Sequence, residues 1–194
     1  MTVDYAEAGG RPTTRWGFFI EDVDDAARRN QLVEARVGDR IPPDQLEAWQ
    51  AARVAIFQYM IGNLDWSMRA GPAGAGCCHN IRLATGPGGR FIPMPYDFDY
   101  SGLVDAPYAV PPAQFQIRGV RKRVYRGYCR HNGEALAAAA DLRGKRPEIE
   151  AMLGQIPGLE DRSRRKALSY LNTFFADIAT DDLVRERLLK ECVG

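Results

Sequence analysis

Apolar residues recur at three- and four-residue steps from Leu46 to Met60, which is the clearest pattern in the chain. The recurring positions are Leu46, Trp49, Ala52, Ile56, Phe57 and Met60. This spacing predicts an amphipathic helix of about four to five turns. We place the helix start at Pro42-Pro43-Asp44, with Asp44 as the N-cap, and its end at Gly62-Asn63, a common C-terminal signal.

Two pairs of short apolar runs, each divided by turn residues, predict two β-hairpins. Their strands are expected at residues 3–5, 15–20, 78–84 and 90–94. The turn of the second hairpin, residues 86–89, is rich in glycine. It lacks the lysine and the helix start of a phosphate-binding loop, so we interpret it as a hairpin turn.

The remaining chain is expected to be mostly helical. A short helix follows the acidic residues 21–25, and five more are predicted at residues 116–125, 133–142, 147–153, 162–178 and 181–192. A few strands followed by many helices indicate an α+β fold with a helical majority. At 194 residues we expect one domain, 1–194.

Composition adds few constraints. A net charge of +1 gives no overall attraction to nucleic acid or to an anionic membrane, so we predict neither partner. The N-terminus has no apolar signal-peptide region, and no run approaches the roughly 18 apolar residues of a membrane span. We therefore expect a cytoplasmic protein.

The four cysteines are Cys77, Cys78, Cys129 and Cys192. None of them forms a C-x-x-C pair, so the spacing matches neither a zinc ribbon nor a disulfide framework. We expect free thiols in a reducing cytosol.

Polar residues follow the predicted long helix and flank the second hairpin. Asp65 comes just after the helix, Asn80 begins the first short strand, and Asp97 and Asp99 follow the second. Because a hairpin brings its outer ends together, Asn80 should lie beside Asp97. An Asp-x-Asp sequence on an extended segment directs both carboxylates to one side.

These side chains suit a magnesium site. Carboxylate and amide oxygens are hard ligands, and a cation relieves the repulsion between two close carboxylates. Phosphoryl transfer needs such a metal and one group that orients or deprotonates the nucleophile. Asp97 and Asp99 are therefore better explained with a metal than without one, and the amide of Asn80 offers a further suitable oxygen.

This order of helix, Asp, Asn, hairpin and Asp-Phe-Asp resembles the catalytic loop and metal-binding segment of atypical protein-kinase-like proteins. The stretch PYDFDYSG resembles the W-D-x-D motif of the spore-coat CotH kinases, and the G-N-x-D segment resembles that of HipA-type kinases. The run FQYMIGNLDWS…HNIRL…IPMPYDFDYSGLVDAPYA also looks like a group of uncharacterised bacterial proteins with that core. The resemblance covers roughly residues 15–130, and its specific part is 57–108.

The resemblance implies a kinase-like C-terminal lobe that binds Mg²⁺ and ATP. It implies that Asp65 orients or deprotonates the acceptor and that Asn80 and Asp97 bind metal. Asp99 matches the second acid of the W-D-x-D motif.

By position, residues 18–21 resemble the strand that runs into the kinase hinge, which implies nucleotide contacts at Phe19 and Glu21. The residues before position 15 lack a glycine-rich loop and a nucleotide-binding lysine. We therefore interpret 1–22 as a remnant of the N-terminal lobe and hinge, and 23–194 as the helical lobe. Such a chain is either part of a longer enzyme or a lobe that has lost catalysis. Apolar surface left by a missing lobe would favour homo-oligomers.

Several single residues have alternative interpretations. Asp65 could be a loop or capping residue, and His79 could be structural or a general base. Arg121 and Arg123 lie in a basic segment, which is either a solvated helix face or a site for an anionic substrate.

Three functions remain open at this point. The first is an ATP- and Mg²⁺-dependent phosphotransferase acting on an unknown acceptor. The second is a non-catalytic, kinase-like binding module. The third is a metal-dependent hydrolase that uses the acids and His79 without ATP.

Overall fold

The computed structural model describes residues 2–6 and 10–194, without the side chain of Trp16. Over these residues the fold is α+β and mainly helical, with six α-helices and two small antiparallel sheets. The strands are β1 (Thr2–Tyr5), β2 (Thr13–Trp16), β3 (Val33–Ala35), β4 (Ile81–Thr85) and β5 (Phe91–Pro95). The helices are α1 (Val23–Arg29), α2 (Ala48–Ile61), α3 (Asn132–Gly144), α4 (Arg146–Gly154), α5 (Asp161–Asp177) and α6 (Asp181–Arg187).

Helix α2 is the central helix that the apolar period predicts. It starts later than expected, because the N-cap is Glu47, whose carboxylate accepts from the backbone N–H groups of Trp49 and Gln50. Asp44 lies instead in a separate 3₁₀ turn, Pro43–Gln45. The predicted end is confirmed: Gly62 closes the helix in the left-handed region at φ 67°.

The second predicted hairpin is confirmed as β4 and β5. Ile81 pairs with Pro95 and Thr85 with Phe91, so Asn80 lies next to the chain that leaves β5. Strand β3 pairs with the other edge of β4 and was not predicted. Three residues are too few to show a period of two.

The first predicted hairpin is confirmed as β1 and β2, but its second strand is shorter than predicted. Trp16 already pairs with Thr2, so residues 17–20 run past the described part of β1. Phe18 and Phe19 are 84% and 85% exposed. The predicted turn at residues 9–12 lies partly outside the described residues.

The core forms where α2 meets α3, α5 and β5. Ala135, Ala138 and Ala139 are buried on α3, and such small side chains let two helices approach closely. Phe174 of α5 is fully buried in the same core. The described residues contain no helix that is long and apolar enough to cross a membrane.

The helix predicted at residues 116–125 is absent from this described segment, which is irregular. Val120 and Tyr125 are buried there, and the guanidinium groups of Arg123 and Arg126 turn inward onto backbone carbonyls of other segments. A helix would present basic residues to solvent on one face. The contacts made by these two arginines require a different path of the chain.

The expectation of free thiols is wrong for this structure, in which all four cysteines are paired. Cys129 bonds Cys192, 63 positions away, with the two Cα atoms 4.9 Å apart. The adjacent residues Cys77 and Cys78 form the second disulfide. Sequence spacing could not show the first pairing, since it depends on where the C-terminal residues return.

Candidate active site

Asp65 lies at the centre of a hydrogen-bonded group formed by two separate segments. Its Oδ1 atom is 2.7 Å from Nε2 of His79. The side-chain amide of Asn80 donates to the backbone oxygen of Asp65 at 2.7 Å and to its Oδ2 atom at 3.0 Å. Both carboxylate oxygens are therefore held, and the residue is more than a simple cap.

Asp65 and Asn80 meet although they are fifteen positions apart in the sequence. The intervening chain forms a loop closed at its base by a short bridge between Ser67 and His79, with N–O distances of 2.9 and 3.2 Å. The intervening residues are thus accommodated outside the group and leave the contact intact.

Asn63 is a site residue whose role the sequence interpretation missed. It is 1% exposed, and its Oδ1 atom accepts from the backbone N–H of Asp65 at 2.9 Å. Its backbone oxygen accepts from the indole of Trp66 at 2.9 Å, and its Nδ2 atom lies 3.5 Å from the backbone oxygen of Asp97. The G-N-x-D pattern was the available signal, but it was interpreted as a helix end.

Asp97 and Asp99 follow β5 and lie close together. Partial burial, a hydrogen bond to the Asp99 carboxyl and the negative charges of Asp99 and Asp65 raise the pKa of Asp97. The Asp65 charge acts on Asp97, so the acids share one electrostatic neighbourhood. Asp97 thus lies close enough to the other two carboxylates to be repelled by both.

The path of the Asp97–Asp99 segment differs from the extended one that the sequence suggested. Asp97 and Asn80 both adopt positive φ, 62° and 51°. The backbone N–H of Tyr96 donates to the backbone oxygen of Asn80 at 3.1 Å, which continues the hairpin by one bond. Asn80 therefore does lie beside the Asp97 segment, but the segment then turns sharply.

The Asp97–Asp99 segment is fixed to the helix that precedes Asp65. The ring of Phe98 meets the ring of Phe57 on α2 edge to face, with centroids 5.5 Å apart. Further along, the backbone N–H of Gly102 donates to the oxygen of Gly62 at 3.1 Å. The two ends of the candidate site are thereby tied to the same helix.

The residues present fit a hard divalent cation by their chemistry. Nδ2 of Asn80 faces Asp65, so its Oδ1 atom points away from Asp65. Two or three mutually repelling carboxylates and one amide oxygen form the donor set that Mg²⁺ prefers. Within residues 2–6 and 10–194, no three His, Cys, Asp or Glu side chains converge on a single metal position.

A groove of about 440 Å³ opens beside Asp65. Asp65, His79, Ser67, Gln114 and Arg126 are the polar residues that line it. Of the three acids, Asp65 is the one that borders this groove. A hydroxyl-bearing molecule in the groove could approach the carboxylate directly.

The predicted nucleotide contacts lie on an exposed segment. Phe19 is 85% exposed, and the carboxylate of Glu21 binds Arg29 of α1 at 2.5 and 3.1 Å. No hydrogen bond or ion pair within residues 2–6 and 10–194 joins either residue to Asp65, Asn80 or the acids after β5. Their role in binding a nucleotide stays a prediction.

Arg121 and Arg123 already have protein partners. Arg123 is mostly buried, stacks 3.6 Å from the ring centroid of Tyr170 and donates to the backbone oxygens of Met60 and Tyr170 at 3.1 and 2.7 Å. Arg121 binds the backbone oxygen of Gly102 at 3.3 Å. These contacts favour a structural role over an anion site, especially for Arg123.

None of the protein-family models, curated proteins or solved structures compared with this chain matches it.

Proposed function

We propose that the chain is the core of an atypical kinase-like phosphotransferase that binds Mg²⁺ and ATP. The observation that carries the proposal is the contact between Asp65 and Asn80, which lie fifteen positions apart in the sequence. A loop or capping residue would have no need of a partner so distant in sequence. A shared site explains why this contact is made beside Asp97.

Asn80, Asp97 and Asp99 would hold the metal in this proposal. The raised pKa of Asp97, caused by partial burial and by the neighbouring Asp99 and Asp65, supports this assignment. A bound Mg²⁺ supplies positive charge that binds and orients nucleotide phosphates. The same charge would offset the repulsion among the acids and lower the pKa of Asp97.

Asp65 would act on the acceptor. Its carboxylate borders the groove, and the hydrogen bonds from His79 and Asn80 fix its orientation. A fixed carboxylate can accept the proton of an acceptor hydroxyl or align that hydroxyl for attack. The acceptor would occupy this groove, whose lining includes none of the proposed metal ligands.

A metal-dependent hydrolase is a second candidate, favoured by the 2.7 Å contact between His79 and Asp65. An imidazole oriented by a carboxylate is a common general base. This candidate predicts metal-dependent ester or phosphodiester cleavage without a nucleotide, and loss of that cleavage in His79→Ala. A fully active His79→Ala protein would exclude it.

Calorimetric titration of Mg²⁺-ATP into the wild-type chain and Asp97→Asn tests the metal assignment. The matched control is Asp141→Asn. It also removes one carboxylate, but this carboxylate belongs to α3 and pairs with Lys145. We expect Mg²⁺ to strengthen nucleotide binding at least tenfold in the wild type and the control, and to have no effect in Asp97→Asn. Equal Mg²⁺ dependence in all three proteins would show that Asp97 is not a ligand.

A γ-phosphate turnover assay on the same Mg²⁺-ATP mixtures separates the phosphotransferase from a non-catalytic binding module. Both can bind a nucleotide, but only the phosphotransferase transfers phosphate. Binding without any turnover of the γ-phosphate, in the presence of Mg²⁺, would favour the module.

A further inference from the structure

Arg126 contacts the backbone on both sides of Asp65. Its Nη1 atom donates to the backbone oxygen of Leu64 at 2.8 Å and to that of Trp66 at 2.6 Å. These oxygens belong to the residues immediately before and after Asp65. One side chain thus holds the peptide unit between Leu64 and Asp65 and the unit that follows Trp66, so the backbone is fixed on either side of Asp65.

The guanidinium of Arg126 is itself held in place by two aromatic rings. It lies 4.8 Å from the ring centroid of Trp66 and 5.0 Å from that of Phe115. Burial lowers the pKa of Arg126, while the negative charge of Asp65 acts in the opposite direction. The guanidinium lines the groove together with Asp65 and His79.

We propose that Arg126 is a positioning residue for Asp65. It holds the backbone of residues 64–66 so that the carboxylate stays at the groove and in contact with His79 and Asn80. The positioning role of Arg126 rests on the proposed function of Asp65, whereas its contacts to the backbone are independent of that function. Arg126 lies 61 positions beyond Asp65 in the sequence, and the segment that carries it departs from the predicted helix to reach it.

Lysine cannot reproduce these contacts. An ammonium group is compact and strongly hydrated, whereas the planar guanidinium stacks on aromatic rings and donates in fixed directions. Arg126→Lys therefore keeps the charge but should release the 64–66 backbone. Arg126→Met removes the charge as well and keeps a chain of similar length.

Amide hydrogen exchange measures this release without any ligand. In both Arg126 variants we expect exchange at residues 63–67 to accelerate at least tenfold, with unchanged exchange in α3 and α5. The matched control is Arg143→Lys, because Arg143 also donates to a backbone oxygen, that of Ile178 at 2.7 Å, and to Asp181. We expect Arg143→Lys to leave residues 63–67 unchanged.

Unchanged exchange at residues 63–67 in Arg126→Lys would overturn the proposal. So would equal acceleration in Arg143→Lys, since it would indicate general destabilisation. Because the measurement needs no nucleotide, it stays decisive even if the chain fails to bind Mg²⁺-ATP.

Where nucleotide turnover is detected, a second readout applies. We expect Arg126→Lys to reduce the hydrolysis rate of Mg²⁺-ATP at least tenfold while changing its Kd less than threefold, because the predicted metal ligands are retained. A Kd that weakens as much as the rate falls would contradict a role confined to Asp65.

Discussion

Gly62→Ala tests the junction that ties the Asp65 loop to the end of the Asp97–Asp99 segment. Gly62 has φ 67°, and a Cβ atom there would overlap the hydroxyl of Tyr170 and lie 3.0 Å from its Cζ atom. The backbone oxygen of Gly62 also accepts from Gly102. An added methyl group therefore strains the backbone and pushes on a buried ring.

The size of the effect follows from two contributions. Left-handed backbone at a residue other than glycine costs about 1 kcal/mol, and overpacking a buried site costs about 1–3 kcal/mol. Together they predict a loss of about 3 kcal/mol in the free energy of unfolding. For a chain of this length that lowers Tm by roughly 9 °C.

A double-mutant cycle with Tyr170→Phe separates the two contributions. The Tyr170 hydroxyl is buried and has no hydrogen-bond partner among the described residues, so its removal alone should change stability little. In the Tyr170→Phe background we expect Gly62→Ala to cost about 1–2 kcal/mol, which leaves a coupling of about 1 kcal/mol or more. Part of the strain remains in this background, because the added Cβ atom would still lie 3.0 Å from the Cζ atom of the ring.

Denaturant unfolding followed by circular dichroism measures all four proteins of the cycle. Gly133→Ala is the matched control, because Gly133 lies in α3 and a Cβ there meets nothing within 4 Å. We expect that change to stabilise by about 0.5–1 kcal/mol. Additive effects of Gly62→Ala and Tyr170→Phe, or a neutral Gly62→Ala, would refute the reasoning.

Three further predictions concern stability. Gln58 is fully buried, and neither amide atom has a hydrogen-bond partner within the described residues. Gln58→Met should therefore raise the free energy of unfolding by about 1–2 kcal/mol, measured by denaturant unfolding. A loss of stability in this variant would show that the amide has a partner. The Cys129–Cys192 disulfide closes a loop with a sequence separation of 63, so its reduction should lower the free energy of unfolding by up to about 4 kcal/mol. Identical unfolding curves with and without reductant would contradict the pairing. The surroundings raise the pKa of Asp97, so folding favours the protonated form of this carboxyl group. The contribution of Asp97 to the free energy of unfolding is therefore fully present below the ordinary carboxyl pKa and is lost as pH rises through the raised value. Without metal, Asp97→Asn should therefore be more stable than the wild type at neutral pH, and a gap that stays constant down to acid pH would contradict this.

The sequence predicts the central elements well where the signal is local. The apolar period of α2, the glycine at its end and the glycine-rich turn between β4 and β5 each act within a few residues. The hairpin then follows, together with the approach of Asn80 to the Asp97 segment. Local physics was sufficient to place these candidate site residues near one another.

The missed features depend on distant contacts. The irregular path of residues 116–128 follows from arginine side chains that reach Met60, Leu64 and Trp66, some sixty positions earlier. The pattern of residues within the segment itself carries no signal of these distant backbone oxygens. Asn63 differs, because its hydrogen bonds with Asp65 and Trp66 are local and only its approach to the backbone oxygen of Asp97 is distant in sequence.

The central claim is that the group around Asp65, Asn80 and Asp97 binds a metal–nucleotide pair. A thermal-shift titration with ATP alone, Mg²⁺ alone and both together tests it most directly. The account predicts a shift that requires both ligands, equivalent to about 2.7 kcal/mol at a hundredfold excess over Kd. Identical melting curves under all three conditions would contradict it.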